Sequence, residues 1–185
     1  MKVLLLAGPV LMLAMAGAHA AVPALPVADP LAPAQAGMVQ CYDPDRANLS
    51  CRSIAAFSRD SGGGWISQVT ILPDPTQSLT LDITSPVTVR DGAVCGAIRR
   101  AQVLAGKLRY FDRPLPADRA LPLLVQIADA LGSDSEREIC TVYVPLAGGF
   151  VARSRISGSA TDLPGQRMVW VRRDAGYHVV PGGRP

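Results

Sequence analysis

Histidine and lysine are almost missing from this 185-residue chain, which holds only His19, His178, Lys2 and Lys107. Beyond residue 20 a catalytic Ser-His-Asp arrangement would have to use His178, and no G-x-S-x-G elbow accompanies it. The four cysteines include no C-x-x-C pair, which argues against the usual zinc and dithiol redox spacings. Aromatic residues make up 5%, so Val, Ile, Leu and Ala must fill the core. Beyond residue 20 no apolar run approaches the roughly 20 residues that span a bilayer. No G-K-[ST] ending follows Gly62-Gly63-Gly64, so that triplet reads as a hairpin loop and not as a phosphate cradle.

The chain itself is 49% hydrophobic and 18% charged, which is ample for a packed core and unlike a disordered segment. Its net charge of +3 is small, and no nucleic-acid partner is expected. Met1-Lys2, the apolar run Val3 to Met15 and the small residues Ala18-x-Ala20 form a secretory signal pattern with cleavage after Ala20. Arginine, alanine, glycine and proline are abundant, as in GC-rich bacterial coding. The expected location is therefore periplasmic or secreted. Four prolines between Ala21 and Gly37 predict a linker without regular structure. The expected organisation is a signal peptide at 1–20, a Pro/Ala-rich linker at 21–37 and one domain at 38–185.

An even cysteine count in an exported chain points to disulfides. Cys41 and Cys51 flank a stretch with the turn residues Asp43-Pro44-Asp45 and Asn48, so their pairing is favoured. Cys95 with Cys140 follows by elimination. Asp43-Pro44-Asp45 does not make a calcium loop, because Ala47, Asn48 and Ile54 stand where that pattern needs an oxygen ligand, a glycine and a glutamate.

Period-2 alternation marks several strands. Trp65, Ser67, Val69 and Ile71 share one face; Leu79, Leu81, Ile83, Val87 and Val89 share another. Pro86 suggests an edge strand or a bulge. Asp91-Gly92 predicts a tight hairpin into Ala93 to Ile98. Cys51 to Arg59, Glu138 to Val144, Phe150 to Ile156 and Gln166 to Arg173 also read as strands, while Val103 to Tyr110 is ambiguous. Pro116 to Leu131 carries apolar residues at helical spacing, with Asp118 near its start and Gly132 at its end. The expected fold class is α+β, a mainly antiparallel sheet with one principal helix and two disulfides.

Gly92-Ala93-Val94-Cys95, Glu138-Ile139-Cys140-Thr141-x-Tyr143 and Val169-Trp170-Val171-Arg172 with Gly176-Tyr177 resemble short uncharacterised exported proteins of alphaproteobacteria. The resemblance covers about a third of the chain beyond the signal. It implies export and a Cys95–Cys140 pair, and it carries over no catalytic residue.

Residues 150–185 hold six arginines against two aspartates. Alternation puts Arg153 and Arg155 on one outward face, and Arg167 and Arg173 of the next strand are expected beside them, with Arg172 pointing away. Such a group suits an anionic partner. The leading expectation is a non-catalytic, exported binding or interaction domain of the bacterial envelope, with no cofactor or metal and with an anionic envelope component or an envelope protein as its partner. The alternatives are a small periplasmic hydrolase using His178 and a purely structural envelope protein.

Overall fold

The computed structural model describes residues 29–131 and 136–181. In chain order its elements are α1 (Ala32–Gln35), β1 (Met38–Tyr42), β2 (Ser50–Cys51), β3 (Ser53–Arg59), β4 (Trp65–Ile71), β5 (Leu79–Arg90) and β6 (Ala93–Gly96). There follow α2 (Arg100–Leu104), β7 (Lys107–Tyr110), β8 (Arg113–Pro114), α3 (Ala117–Leu131), β9 (Ile139–Leu146), β10 (Gly149–Ile156), β11 (Gln166–Arg172) and β12 (His178–Val179). The predicted signal peptide and Gly132 lie outside the described residues.

Eight strands close into an antiparallel barrel in the ring order β1, β3, β4, β5, β6, β9, β10, β11. Two pairings make the ring: β4 with β5, and β11 with β1. This corrects the expected α+β fold class. The strands do alternate as read, but around most of the ring their apolar faces turn inward onto one another, and a helix covers only the first half of β5. Helix α3 does form, with the Pro116 carbonyl accepting the amides of Arg119 and Ala120. Pro122 lies within it, so the helix does not begin after that proline. With α2 it packs on Leu79, Leu81 and Ile83 at the first half of β5, where the strand pairs with β7. The helices therefore flank the barrel and do not form a layer of their own.

Register explains Pro86. Strand β5 pairs with β7 through Leu79 to Asp82 and with β6 through Val87 to Arg90. Residues 83–86 have no ladder partner on that side, so a residue without an amide proton is tolerated in a strand that is not an edge. At Asp91-Gly92 both residues have positive φ, 49° and 74°, the conformation of a type I′ hairpin turn.

The linker reading also requires correction for residues 29–37. The Asp29 carboxylate accepts the Leu31 amide at 2.9 Å and the Gln35 side-chain amide at 2.9 Å. Leu31 is fully buried and Ala34 nearly so, both packed against Ala55, Phe57, Trp65 and Val94. These partners share the inner face of the barrel, so α1 acts as a cork at the end where β1 begins. Proline in the first turn does not disturb such a short helix.

Both expected disulfides are present, Cys41–Cys51 and Cys95–Cys140. The second joins residues directly opposite each other on β6 and β9. It crosses the seam where the segment holding α2 and α3 leaves and rejoins the barrel. No described helix is long and apolar enough to cross a membrane.

Candidate functional site

An eight-stranded barrel is wide enough either to be filled by side chains or to hold one small molecule. Here the interior is filled by packed side chains at the corked end and only in part toward the other. Small residues occupy inward positions on successive strands: Ala55, Ser67, Ser85, Gly96, Ala152 and Ser154. They leave a cavity of about 230 Å³. Apolar side chains of Phe57, Val69, Val87, Val94 and Ile139 line it together with the hydroxyls of Ser67, Ser85, Thr141 and Ser154. Tyr42, Ser53 and Gln166 line it where their strands begin or end, with Ile98 just beyond β6, opposite the α1 cork. Inward-facing Thr141, Tyr143, Ser154 and Gln166 are only half-buried, so this end is open to solvent.

The hydroxyls follow the ladder. Ser67 stands opposite Ser85, and Thr141 opposite Ser154, whose oxygens are 2.8 Å apart. Gln40 is fully buried. Its carbonyl oxygen accepts the Tyr42 hydroxyl at 2.7 Å and the Tyr143 hydroxyl at 3.2 Å. Its side-chain nitrogen has no partner among the described residues. Burial, reinforced by Tyr143, raises the Tyr42 pKa well above the usual tyrosine value. Burial raises that of Tyr143 as well, partly offset by its bonds to Tyr42 and Gln40. Both phenols are therefore neutral donors, and no lining residue carries a formal charge at neutral pH. Both tryptophans also face inward, Trp65 opposite Val87 and Trp170 opposite Gln40.

The arginines expected to gather are divided by the structure. Arg167 stands opposite Val151, which places it on the outer face with Arg153 and Arg155. Asp162 accepts from Arg155 at 2.5 Å; this bond and the nearby Arg153 hold its carboxyl below the usual range. Arg167 has no carboxylate partner among the described residues. Arg173 does not join them. It lies beyond the end of β11, in a separate groove on the outer face of β3, β4 and β5.

His178 is exposed, with its ring Nδ1 3.2 Å from the Gly176 carbonyl. Among the described residues no carboxylate or hydroxyl reaches it, so no triad assembles around it. Asp45 uses its carboxylate on the amides of Ala47 and Asn48 and on the Asn48 side chain, and Asp60 uses its own on Gly62 and Gly64. Both are turn-forming groups. The Glu138 carboxylate and the sulfurs of Cys95 and Cys140 lie within 4.8 Å of one another, but the two sulfurs are bonded to each other and are not available to a metal.

Sequence reasoning missed the interior cavity. Its signal was nonetheless present: one small polar residue recurs on the apolar parity of several strands. Ser67 sits between Trp65 and Val69, Ser85 between Ile83 and Val87, Thr141 between Ile139 and Tyr143, and Ser154 between Ala152 and Ile156. Comparison of the chain with protein-family models, curated proteins and solved structures finds no match in any of the three.

Proposed function

We propose that this protein is an exported, non-catalytic ligand-binding barrel of the bacterial envelope, whose interior cavity takes up a small uncharged molecule with an apolar body and one or two hydrogen-bonding groups. The observation that carries this reading is the cavity itself: a corked barrel, open at one end, with hydroxyls set among aliphatic walls. Pockets of this composition use apolar surface for affinity and a few polar groups for orientation. A charged ligand would lose its hydration there without gaining a counter-charge.

The test uses the two inward tryptophans as reporters. Titration with N-phenyl-1-naphthylamine should quench tryptophan emission and enhance probe emission at equimolar saturation. Ser154→Phe, at the open end, should abolish both while leaving the unfolding temperature within a few degrees. Saturable binding undiminished by Ser154→Phe would place the probe elsewhere and defeat the reading.

A second reading rests on a different surface. Val142, Val144 and Leu146 form an exposed aliphatic row on the outer face of β9, next to Arg153 and Arg155 on β10 and with Arg167 on β11. Exposed apolar surface rimmed by charge is typical of contact sites. This supports attachment to an anionic envelope component. Sedimentation with phosphatidylglycerol vesicles should fall with added salt and with an Arg153→Ala, Arg155→Ala pair; equal sedimentation of parent and variant would refute it.

A further inference from the structure

A second concave site lies on the outside of the barrel, chemically unlike the cavity within. The segment after β11 turns back over the outer face, where β12 pairs in parallel with β2. On the other side β7 adds to β5 beyond the barrel. Between these two banks runs a groove of about 490 Å³, floored by β3, β4 and β5. Arg173 and Tyr177 stand on the bank formed by the returning segment, Lys107 and Arg109 on the other. Gln68, Thr70 and Thr84 provide the polar floor.

Charge is unbalanced in this groove. Asp82 is its only carboxylate, and it is already engaged by Arg109 at 2.7 Å and by the Thr70 hydroxyl at 2.7 Å. That leaves Lys107 and Arg173 with no acidic partner among the described residues, although both line the same concavity. Opposed cations over a hydrogen-bonding floor make an anion site, since an arginine fork and an ammonium both strengthen their bonds to an ionised oxygen. The volume is larger than an inorganic anion needs, and the floor offers donors and acceptors to hydroxyl groups.

We infer that this groove binds an anionic sugar derivative, its phosphate or carboxylate held between Lys107 and Arg173 and its hydroxyls on Gln68, Thr70 and Thr84. The site shares no residue with the interior cavity except Val69, so it stands or falls independently of the proposal above.

Lys107 is the only lysine beyond residue 2, which makes it a specific reporter. The mature protein is treated with an amine-acetylating reagent, and Lys107 modification is followed by peptide mass spectrometry with glucose 6-phosphate, glucuronate, glucose or inorganic phosphate present. Calorimetric titration of the same four compounds runs in parallel. Glucose 6-phosphate or glucuronate should bind and protect Lys107, and glucose should not. Lys107→Ala and Arg173→Ala should each weaken binding by about tenfold, and Ser154→Phe should leave it unchanged. Inorganic phosphate binding as tightly as the sugar anions would overturn the role of the floor. Glucose binding equally well would overturn the role of the cations. Absence of both protection and heat with either sugar anion would overturn the site.

Discussion

The hydroxyls of Tyr42 and Tyr143, 101 residues apart in the chain, lie 3.3 Å from each other inside the barrel and share the carbonyl oxygen of Gln40. One comes from β1 and the other from β9, so their meeting depends on closure of the ring. Their neutral forms are favoured by burial, and the folded pKa of each is above the usual tyrosine value of 10.0. Above that pH the unfolded chain releases the two protons and the folded chain retains them, so stability is full below pH 10 and falls as pH rises. Ultraviolet titration should show Tyr42 and Tyr143 ionising above the usual tyrosine value, and denaturant midpoints should decline as pH is raised past 10. Ionisation of Tyr42 and Tyr143 at the usual tyrosine value, with no loss of stability, would contradict the arrangement.

The two disulfides should behave differently under reduction. Cys41 and Cys51 are buried, whereas Cys140 is half-buried on the outer face. Dithiothreitol under native conditions should therefore open Cys95–Cys140 first, as alkylation and peptide mapping would show. Removing this bridge should also cost more, about 4 kcal/mol against about 3 kcal/mol for the shorter loop on the chain-entropy account. Because Gly96 and Ile139, the adjacent residues, line the cavity, the reduced protein should bind the naphthylamine probe more weakly.

Leu31 tests the cork. Its side chain is fully buried among inward-facing residues, and Leu31→Ala removes apolar contacts that a four-residue helix cannot collapse to refill. The expected loss is about 2–5 kcal/mol, visible as a fall in the thermal midpoint of roughly 2–4 °C for each kcal/mol. A change within half a degree would mean that residues 29–37 do not hold the barrel end.

Gly149 is a tight packing point at the start of β10. A Cβ there would lie 2.6 Å from the Met168 carbonyl oxygen and 2.8 Å from a Val169 methyl. The backbone oxygen cannot rotate away as a side chain would. Gly149→Ala should destabilise by about 1–3 kcal/mol, measured by urea unfolding, whereas alanine at Gly63 should act through its positive φ alone, with no atom within 4 Å of the new methyl.

The strands were readable because their alternation is local: Trp65 to Ile71 and Leu79 to Val89 expose their period within a few residues. The helix at Ala117–Leu131 and the Asp91-Gly92 turn were readable for the same reason. Strand β1 was not, because Met38–Tyr42 is buried on both faces and carries Gln40 on its inward side. Nor was α1, since four prolines conceal a contribution made through Leu31 and Ala34. The sequence by itself determined the strand periods, the cysteine inventory and the basic character of residues 150–185. Tertiary structure alone decided that β11 returns to β1 and β4 pairs with β5, because which strand edges meet depends on the twist and register accumulated around the whole ring. That closure turned a row of scattered serines and threonines into the wall of one cavity, and it separated Arg173 from Arg153, Arg155 and Arg167. Neither result is encoded in any single segment.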